Sequence, residues 1–311
     1  MQIVFFASLL SCSNNNSSEN ETAITNTTNT QEKQAVVKQQ NENTVTATES
    51  NIEKQENTTP TLLVKSDAVE PHYCPDGSMF FYLNEEGNQL TVFNAKTNES
   101  KVVLQQEGLK NNVSWAKDCE TILYKYKENY KMQFSSININ GNKKQSFTDY
   151  PALTSLASLQ YSDTIFYLDQ KSLSIKAKYE NNEWNFGKEK QRYYNLLASP
   201  NGKYLAANNG SEIVLIDLKT NTESILGKGL HTSWHPSGNY LIGFLDESTD
   251  GHQISNSDIF LWNVNTGKQT QITNTKDIFE AYPNFKNSTS IIYSDMNKEG
   301  IYELNISSFI K

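Results

Sequence analysis

A motif that returns about every 42 residues constrains this chain more than any other feature. It is clearest in Tyr73-Cys74-Pro75-Asp76-Gly77, Ala198-Ser199-Pro200-Asn201-Gly202 and Trp234-His235-Pro236-Ser237-Gly238, each followed by a short apolar run. Weaker copies stand at Trp115-Ala116-Lys117-Asp118 and Phe285-Lys286-Asn287. The first central residues of the runs are Phe80, Ile122, Ile165, Leu205, Leu241 and Ile292, at steps of 42, 43, 40, 36 and 51. Six units of blade size predict an all-β chain folded as a six-bladed β-propeller. A β-sandwich of similar strand content would carry no fixed period.

Each unit reads as four short strands. The first ends in the aromatic before the turn, where proline presets φ and glycine or asparagine accepts a positive one. The second is the apolar run, at 79–83, 122–126, 164–168, 204–207, 240–244 and 290–294. The third is read at 89–93, 212–217, 258–264 and 300–305. Then come polar hairpins such as Lys96-Thr97-Asn98, Lys219-Thr220-Asn221 and Asn265-Thr266-Gly267. The fourth strand is shorter and more polar, as an outer edge should be.

The ends fit together. The sixth unit stops after its third strand, while an orphan β-rich segment, Thr61-Leu62-Leu63-Val64-Lys65, precedes the first. That segment is expected to supply the last blade's fourth strand and close the ring, leaving no long free edge. The domain is therefore read as residues 61–311.

Pro71-His72-Tyr73-Cys74-Pro75-Asp76-Gly77 and Tyr282-Pro283-Asn284-Phe285, each before an apolar strand, resemble the repeat of TolB-type propellers. Propeller domains of prolyl-oligopeptidase-like enzymes carry a similar repeat. Blade three departs most, with Ser158-Leu159-Gln160 in place of the aromatic-Ser-Pro stretch. The resemblance implies a protein or peptide ligand at one rim and the channel mouth. It transfers no site residue, because the shared motif is structural.

Residues 1–12 end in Leu9-Leu10-Ser11-Cys12, which resembles a bacterial lipoprotein signal. The resemblance implies cleavage before Cys12 and a lipid on its thiol, hence a membrane anchor in the cell envelope. The apolar run is short and no Lys or Arg precedes it, as when a start is assigned too far downstream. Residues 13–60 are mostly Asn, Thr, Gln, Ser, Glu and Lys, with no aromatic and no glycine. Such a stretch cannot bury enough apolar surface to offset its ordering entropy, so a disordered tether of about 40 Å r.m.s. is expected.

The net charge is −8 and no Lys/Arg cluster occurs, which argues against nucleic acid. Cys74 and Cys119 flank the first turns of adjacent blades. Because inner strands of neighbouring blades are often too far apart for a disulfide, two separate packed thiols are expected. No Gly-x-Ser-x-Gly, His-Glu-x-x-His, Walker loop or Cys-x-x-Cys appears. His72, His231 and His235 read as hydrogen-bonded wall residues, so neither metal nor cofactor is expected.

The outlier is blade five, whose step of 51 carries an insertion between its second and third strands. It is read as a solvated loop, 246–258, and as the first choice for a partner contact through Asp246, Glu247, Asp250, His252 and Asp258. The function expected is non-catalytic binding of a protein or peptide by a monomeric envelope propeller. The rival is a propeller lactonase or glycan-active hydrolase. It should show two or three carboxylates converging at the channel mouth with raised pKa, where a binder should show an apolar or mixed patch.

Overall fold

Apolar runs of four or five residues, punctuated by turn residues, fold here as antiparallel blades. The structure is a computed structural model describing residues 59–311 except 142–143, 249–253, 277 and 298–299. Cys12, and nearly all of the predicted tether, lie outside the described residues. Strand β1 (Thr61–Lys65) precedes blade one, which is β2 (Ala68–Tyr73), β3 (Met79–Asn84), β4 (Gln89–Asn94) and β5 (Glu99–Gln105). Blade two is β6 (Val113–Trp115), β7 (Thr121–Glu128), β8 (Lys131–Asn138) and β9 (Lys144–Phe147). Blade three is β10 (Ile165–Leu168), β11 (Ile175–Tyr179) and β12 (Asn182–Phe186). Blade four is β13 (Tyr193–Ala198), β14 (Tyr204–Asn209), β15 (Glu212–Asp217) and β16 (Glu223–Lys228). Blade five is β17 (Leu230–Trp234), β18 (Tyr240–Ser248), β19 (Ile254–Asn263) and β20 (Gln269–Gln271). Blade six is β21 (Glu280–Phe285), β22 (Ser290–Asp295) and β23 (Gly300–Asn305).

The ring closes as the chain ends predict. Strand β1 pairs antiparallel with β23, Leu62 opposite Tyr302 and Lys65 opposite Gly300, making the sheet order β1-β23-β22-β21. Gly300 has no Cβ to obstruct this contact; one would lie 2.9 Å from Leu62 Cδ1.

Blade three corrects the expectation of four strands everywhere. Its inner strand is reduced to one bridge, Thr154 to Tyr167, followed by a 3₁₀ turn over Leu156–Gln160. Leu156 and Leu159 are both buried, a spacing of three that suits a 3₁₀ turn and opposes strand alternation. Ser155 Oγ donates to the Leu196 carbonyl of blade four, so the seam is closed without a strand.

The core lies between blades. Phe81 and Leu83 of blade one pack with Trp115, Ile122 and Tyr124 of blade two, and Leu215 of blade four with Trp234 and Leu241 of blade five. Trp115 Nε1 donates to the His72 carbonyl at 2.8 Å, and Trp234 Nε1 to the Leu197 carbonyl at 2.9 Å. One aromatic at one repeat position thus anchors its blade to the preceding one, filling volume and satisfying a buried carbonyl together. The turn after it is equally specific. Gly77 has φ +70°, and a Cβ there would sit 2.7 Å from the Lys286 carbonyl oxygen of blade six.

The outer hairpins follow from asparagine and aspartate chemistry. Asn94 Oδ1 accepts the N–H of Lys96 at 2.9 Å, and Asp217 Oδ1 those of Lys219 and Thr220 at 2.9 and 2.8 Å. Asn98 and Asn221 then close the turns at φ 58° and 55°, a left-handed conformation asparagine tolerates.

Candidate functional site

Antiparallel order gives the ring two unlike faces. Inner strands begin on one, here the entry face, which also carries the hairpins between second and third strands. They end on the other, the turn face, at the Pro-Asp-Gly type turns.

On the entry face each of β2, β13, β17 and β21 holds a one-residue bulge at the same place. At three of them the bulged residue has positive φ: Glu70 at 51°, Asn195 at 54° and Tyr282 at 54°. Bulges re-aim side chains, and here they aim them at the next blade. Asn195 Nδ2 donates to the His231 carbonyl at 2.6 Å, Thr232 Oγ1 donates to the Pro283 carbonyl, and the Asn111 N–H donates to Glu70 Oε2 at 2.8 Å. Pro71 and Pro283 mark two of these bulges in the sequence, since proline inside an inner strand fits little else.

Carboxylates gather where blades five, six and one meet on this face. Glu280 begins β21 and stands opposite Asp295. Its Oε1 accepts from Thr275 Oγ1 at 2.8 Å, while buried Oε2 has no protein partner. Burial raises the Glu280 pKa to about 7, against the pull of the Thr273 and Thr275 hydroxyls, with Asp258 and Asp295 adding to the rise. Burial likewise raises Glu70 to about 7, opposed by the Asn111 N–H and the Lys110 charge. Tyr282, half-buried, has its pKa raised by its burial and by the charges of Glu70 and Asp246. Near neutral pH both glutamates exchange a proton, and both are sealed, 4% exposed at Glu70 and 1% at Glu280. Neither was singled out from the sequence, because burial of an acid is a property of the assembled seam.

The blade-five insertion is not a loop over most of its length. It extends the central hairpin: Leu245 pairs with Asp258, Asp246 with Ser257, Glu247 with Asn256 and Ser248 with Ile254. The polar side chains satisfy one another and the ladder continues. Ser257 Oγ lies 2.9 Å from Asp246 Oδ1 and 2.8 Å from the Glu280 carbonyl. Asp258 is buried, with Oδ2 accepting from Asn256 Nδ2 at 2.9 Å and Gln271 Nε2 at 3.1 Å, and Oδ1 from the Thr275 N–H at 3.2 Å. Asp258 is therefore a structural acid rather than a solvated contact. Asp246 and Glu247 are exposed on β18, and Asp250 and His252 lie outside the described residues. Strand β17 pairs with β18 only as far as Phe244, so among the described residues only β19 pairs with residues 245–248.

His72, His231 and His235, the histidines among the described residues, are wall residues. Burial lowers His72 and His231 to about 4. His231 Nε2 lies 3.0 Å from the Asn195 carbonyl, and His235 bridges Ser237 Oγ at 2.7 Å and the Ser288 carbonyl at 3.1 Å. Away from both carboxylates and hairpin, a groove of about 390 Å³ on blade four is lined by Lys188, Gln191, Glu212, Glu223 and the 62%-exposed Ile225.

On the turn face, Cys74 and Cys119 are free thiols and both buried. They are unbonded and packed as expected, and they lie close: with Asp76 their donor atoms are all within 4.8 Å of one another. The turns after β2 and β6 lean together across the blade seam, which inner-strand spacing alone does not reveal. The Cys74 thiol donates to Asp76 Oδ1 at 2.8 Å, and this, with help from Ser78, holds the carboxylate well below its usual range.

No family model and no curated protein sequence matches this chain. Solved structures do. A structure assigned to TolB from Agrobacterium tumefaciens is 15% identical and superposes with a TM-score of 0.51, over 76% of this chain and 90% of the other. A chain of the mitotic checkpoint complex is 10% identical with a TM-score of 0.52, over 84% and 97%. TolB from Acinetobacter baumannii is 12% identical over 77% of this chain at a TM-score of 0.49, and the match spans 54% of its length. At such identities the likeness is one of fold: a TolB-like six-bladed β-propeller.

Proposed function

We propose that this propeller is a non-catalytic binding module of the bacterial cell envelope, tethered through a lipid on Cys12, that takes an extended, basic peptide segment of a protein partner along β18. The observation that carries the reading is the blade-five hairpin. Its strands of 9 and 10 residues are the longest among the described residues, and residues 245–248 present an unpaired edge. An extended segment adds to such an edge through main-chain hydrogen bonds, while flanking side chains choose the sequence. The exposed carboxylates of Asp246 and Glu247 favour Lys or Arg beside them. Envelope placement rests on Leu9-Leu10-Ser11-Cys12 and the polar stretch after it. Changing Cys12→Ser should move the protein from the membrane to the soluble fraction; equal membrane association of both forms would defeat the anchor.

Selection of peptides from a displayed random library tests the binding mode. Enriched peptides should alternate Lys or Arg with other residues and lose affinity in high salt. They should also fail on a variant whose residues 247–256 are replaced by Asn-Gly, a two-residue turn closing on the Asp246–Ser257 pair. Peptides that bind that variant equally well would move the site elsewhere.

The hydrolase reading draws on one observation, the two glutamates raised to about 7 on adjacent blades. General acids are tuned this way, but both carboxyls are sealed from solvent. Turnover of a lactone or glycoside that disappears in Glu280→Gln would establish that reading instead.

A further inference from the structure

The repeats act as one another's controls, and on the turn face the blade-two copy keeps the glycine's conformation without the glycine. Aligned on the inner-strand aromatic, Trp115-Ala116-Lys117-Asp118-Cys119 matches Tyr73-Cys74-Pro75-Asp76-Gly77 residue for residue. Cys119 therefore occupies the position of Gly77, Gly202 and Gly238, whose φ values are 70°, 66° and 70°. Cys119 takes the same left-handed conformation at φ 53°, one that disfavours a Cβ. Strain of this kind persists where a side chain is needed. The chain places a thiol there, and a second thiol at Cys74, where the other copies have alanine, serine, histidine or lysine.

We propose that Cys74, Cys119 and Asp76 bind a borderline-soft divalent cation of the zinc class through two thiolate sulfurs and one carboxylate oxygen, with a fourth position open to water. Among the described residues this is the only group of three or more His, Cys, Asp or Glu side chains whose donor atoms converge so closely. Tetrahedral zinc with Zn–S bonds of about 2.3 Å sets its sulfurs about 3.8 Å apart. The donor atoms lie within 4.8 Å of one another, so the two sulfurs need to close by about 1 Å at most, while Cys74 Sγ and Asp76 Oδ1, 2.8 Å apart, need to open by about 0.7 Å. The donor set selects the metal. Two sulfurs disfavour Ca²⁺ and Mg²⁺, and the carboxylate disfavours Cu⁺, leaving a zinc-like ion.

The surroundings suit a site. The turn is pinned by the Gly77 N–H to the Cys74 carbonyl at 2.9 Å and by the Cys74 N–H to the Met79 carbonyl at 2.9 Å. Asp76 Oδ1 also accepts the Ser78 N–H at 2.8 Å, an outer contact that orients the carboxylate. Both cysteines are buried while Asp76 is exposed, so the ion enters from the Asp76 side. Binding breaks two S–H bonds and forms two metal–sulfur bonds. The two protons leave to solvent and no electron is transferred.

Cobalt(II) reports such a site by a near-ultraviolet thiolate-to-cobalt charge-transfer band. With the full-length chain kept reduced, the band should saturate at one equivalent, and Zn²⁺ should bleach it. Cys119→Gly restores the repeat's own glycine, so it should melt no lower than wild type yet give no band. Asp76→Asn, at an exposed position, should weaken binding at least about tenfold. The proposal falls if no band appears at one equivalent, or if the band survives in both Cys119→Gly and Cys74→Ser. A Cys74–Cys119 disulfide that resists reductant and leaves the protein without cobalt binding would overturn it as well.

Discussion

Replacing Glu280 by glutamine should remove a large part of the stability loss that the wild type suffers on the alkaline side. The carboxyl's pKa is raised from 4.5 to about 7 in the folded chain. The folded state therefore holds this proton more tightly than the unfolded state. The stabilisation that follows is fully present below pH 4.5 and is lost as the pH rises through about 7. A rise of about 2.5 units at 1.36 kcal/mol each gives roughly 3 kcal/mol lost by pH 9. For a domain of this size that is about 6–12 °C in melting temperature. Glutamine keeps the acceptor for Thr275 Oγ1, which donates to Oε1 at 2.8 Å, and has no charge to desolvate. Thermal melts of both proteins at pH 5.5 and pH 9 read the effect. The wild type should lose much more than the variant between the two conditions, and the variant should be the more stable at pH 9. Glu70, raised to about 7 by the same cause, leaves the variant with a residual slope that Glu70→Gln should remove. Parallel losses in wild type, Glu280→Gln and the double variant would refute the argument, because the buried acids would then not control the alkaline limb.

On the acid side the sign reverses. His231 is fully buried and lowered to about 4, so stability should fall as pH drops from 6.5 to about 4, and His231→Gln should flatten that limb in melts at pH 6.5 and 4.5. Deleting residues 1–67 removes β1 and bares the edge of β23, which should lower the melting temperature and promote self-association by light scattering. Leu63 and Val64 are only partly buried, so most of the effect should come from the lost strand pairing and the exposed edge.

Features set within one repeat were legible in the sequence. Asn98 and Asn221 close their hairpins where a turn was read, and Trp115 and Trp234 enter the inter-blade core as aromatics before a turn should. The orphan Thr61–Lys65 could be matched to the last blade because a closed ring leaves only one place for it. Blade three was misread because Leu156 and Leu159 follow a period of three, which counting strands at a period of 42 does not register. The blade-five insertion was misread because its polar residues suggested solvent. Cross-strand partners such as Ser257 for Asp246 let a polar ladder form, and those partners are known only once the strands are paired.

A repeat also shows which residues its own folding does not require. The glycine at the turn, the asparagine at the hairpin and the aromatic before the turn recur where blades have the same backbone to build and the same seam to fill. Cys119 in a glycine's place, Glu70 at a bulge that elsewhere holds asparagine, threonine or tyrosine, and strands of 9 and 10 residues in blade five meet none of those shared needs. Each carries a burden that its counterparts avoid: positive φ at a Cβ-bearing residue, a buried acid, an unpaired edge. If these were drift without function, reverting them to the repeat's own choice should raise stability and change nothing else. If they serve function, Cys119→Gly should raise the melting temperature and abolish cobalt binding, while the shortened hairpin keeps its fold and loses its peptide. That divergence between stability and binding is what separates a functional departure from a tolerated one.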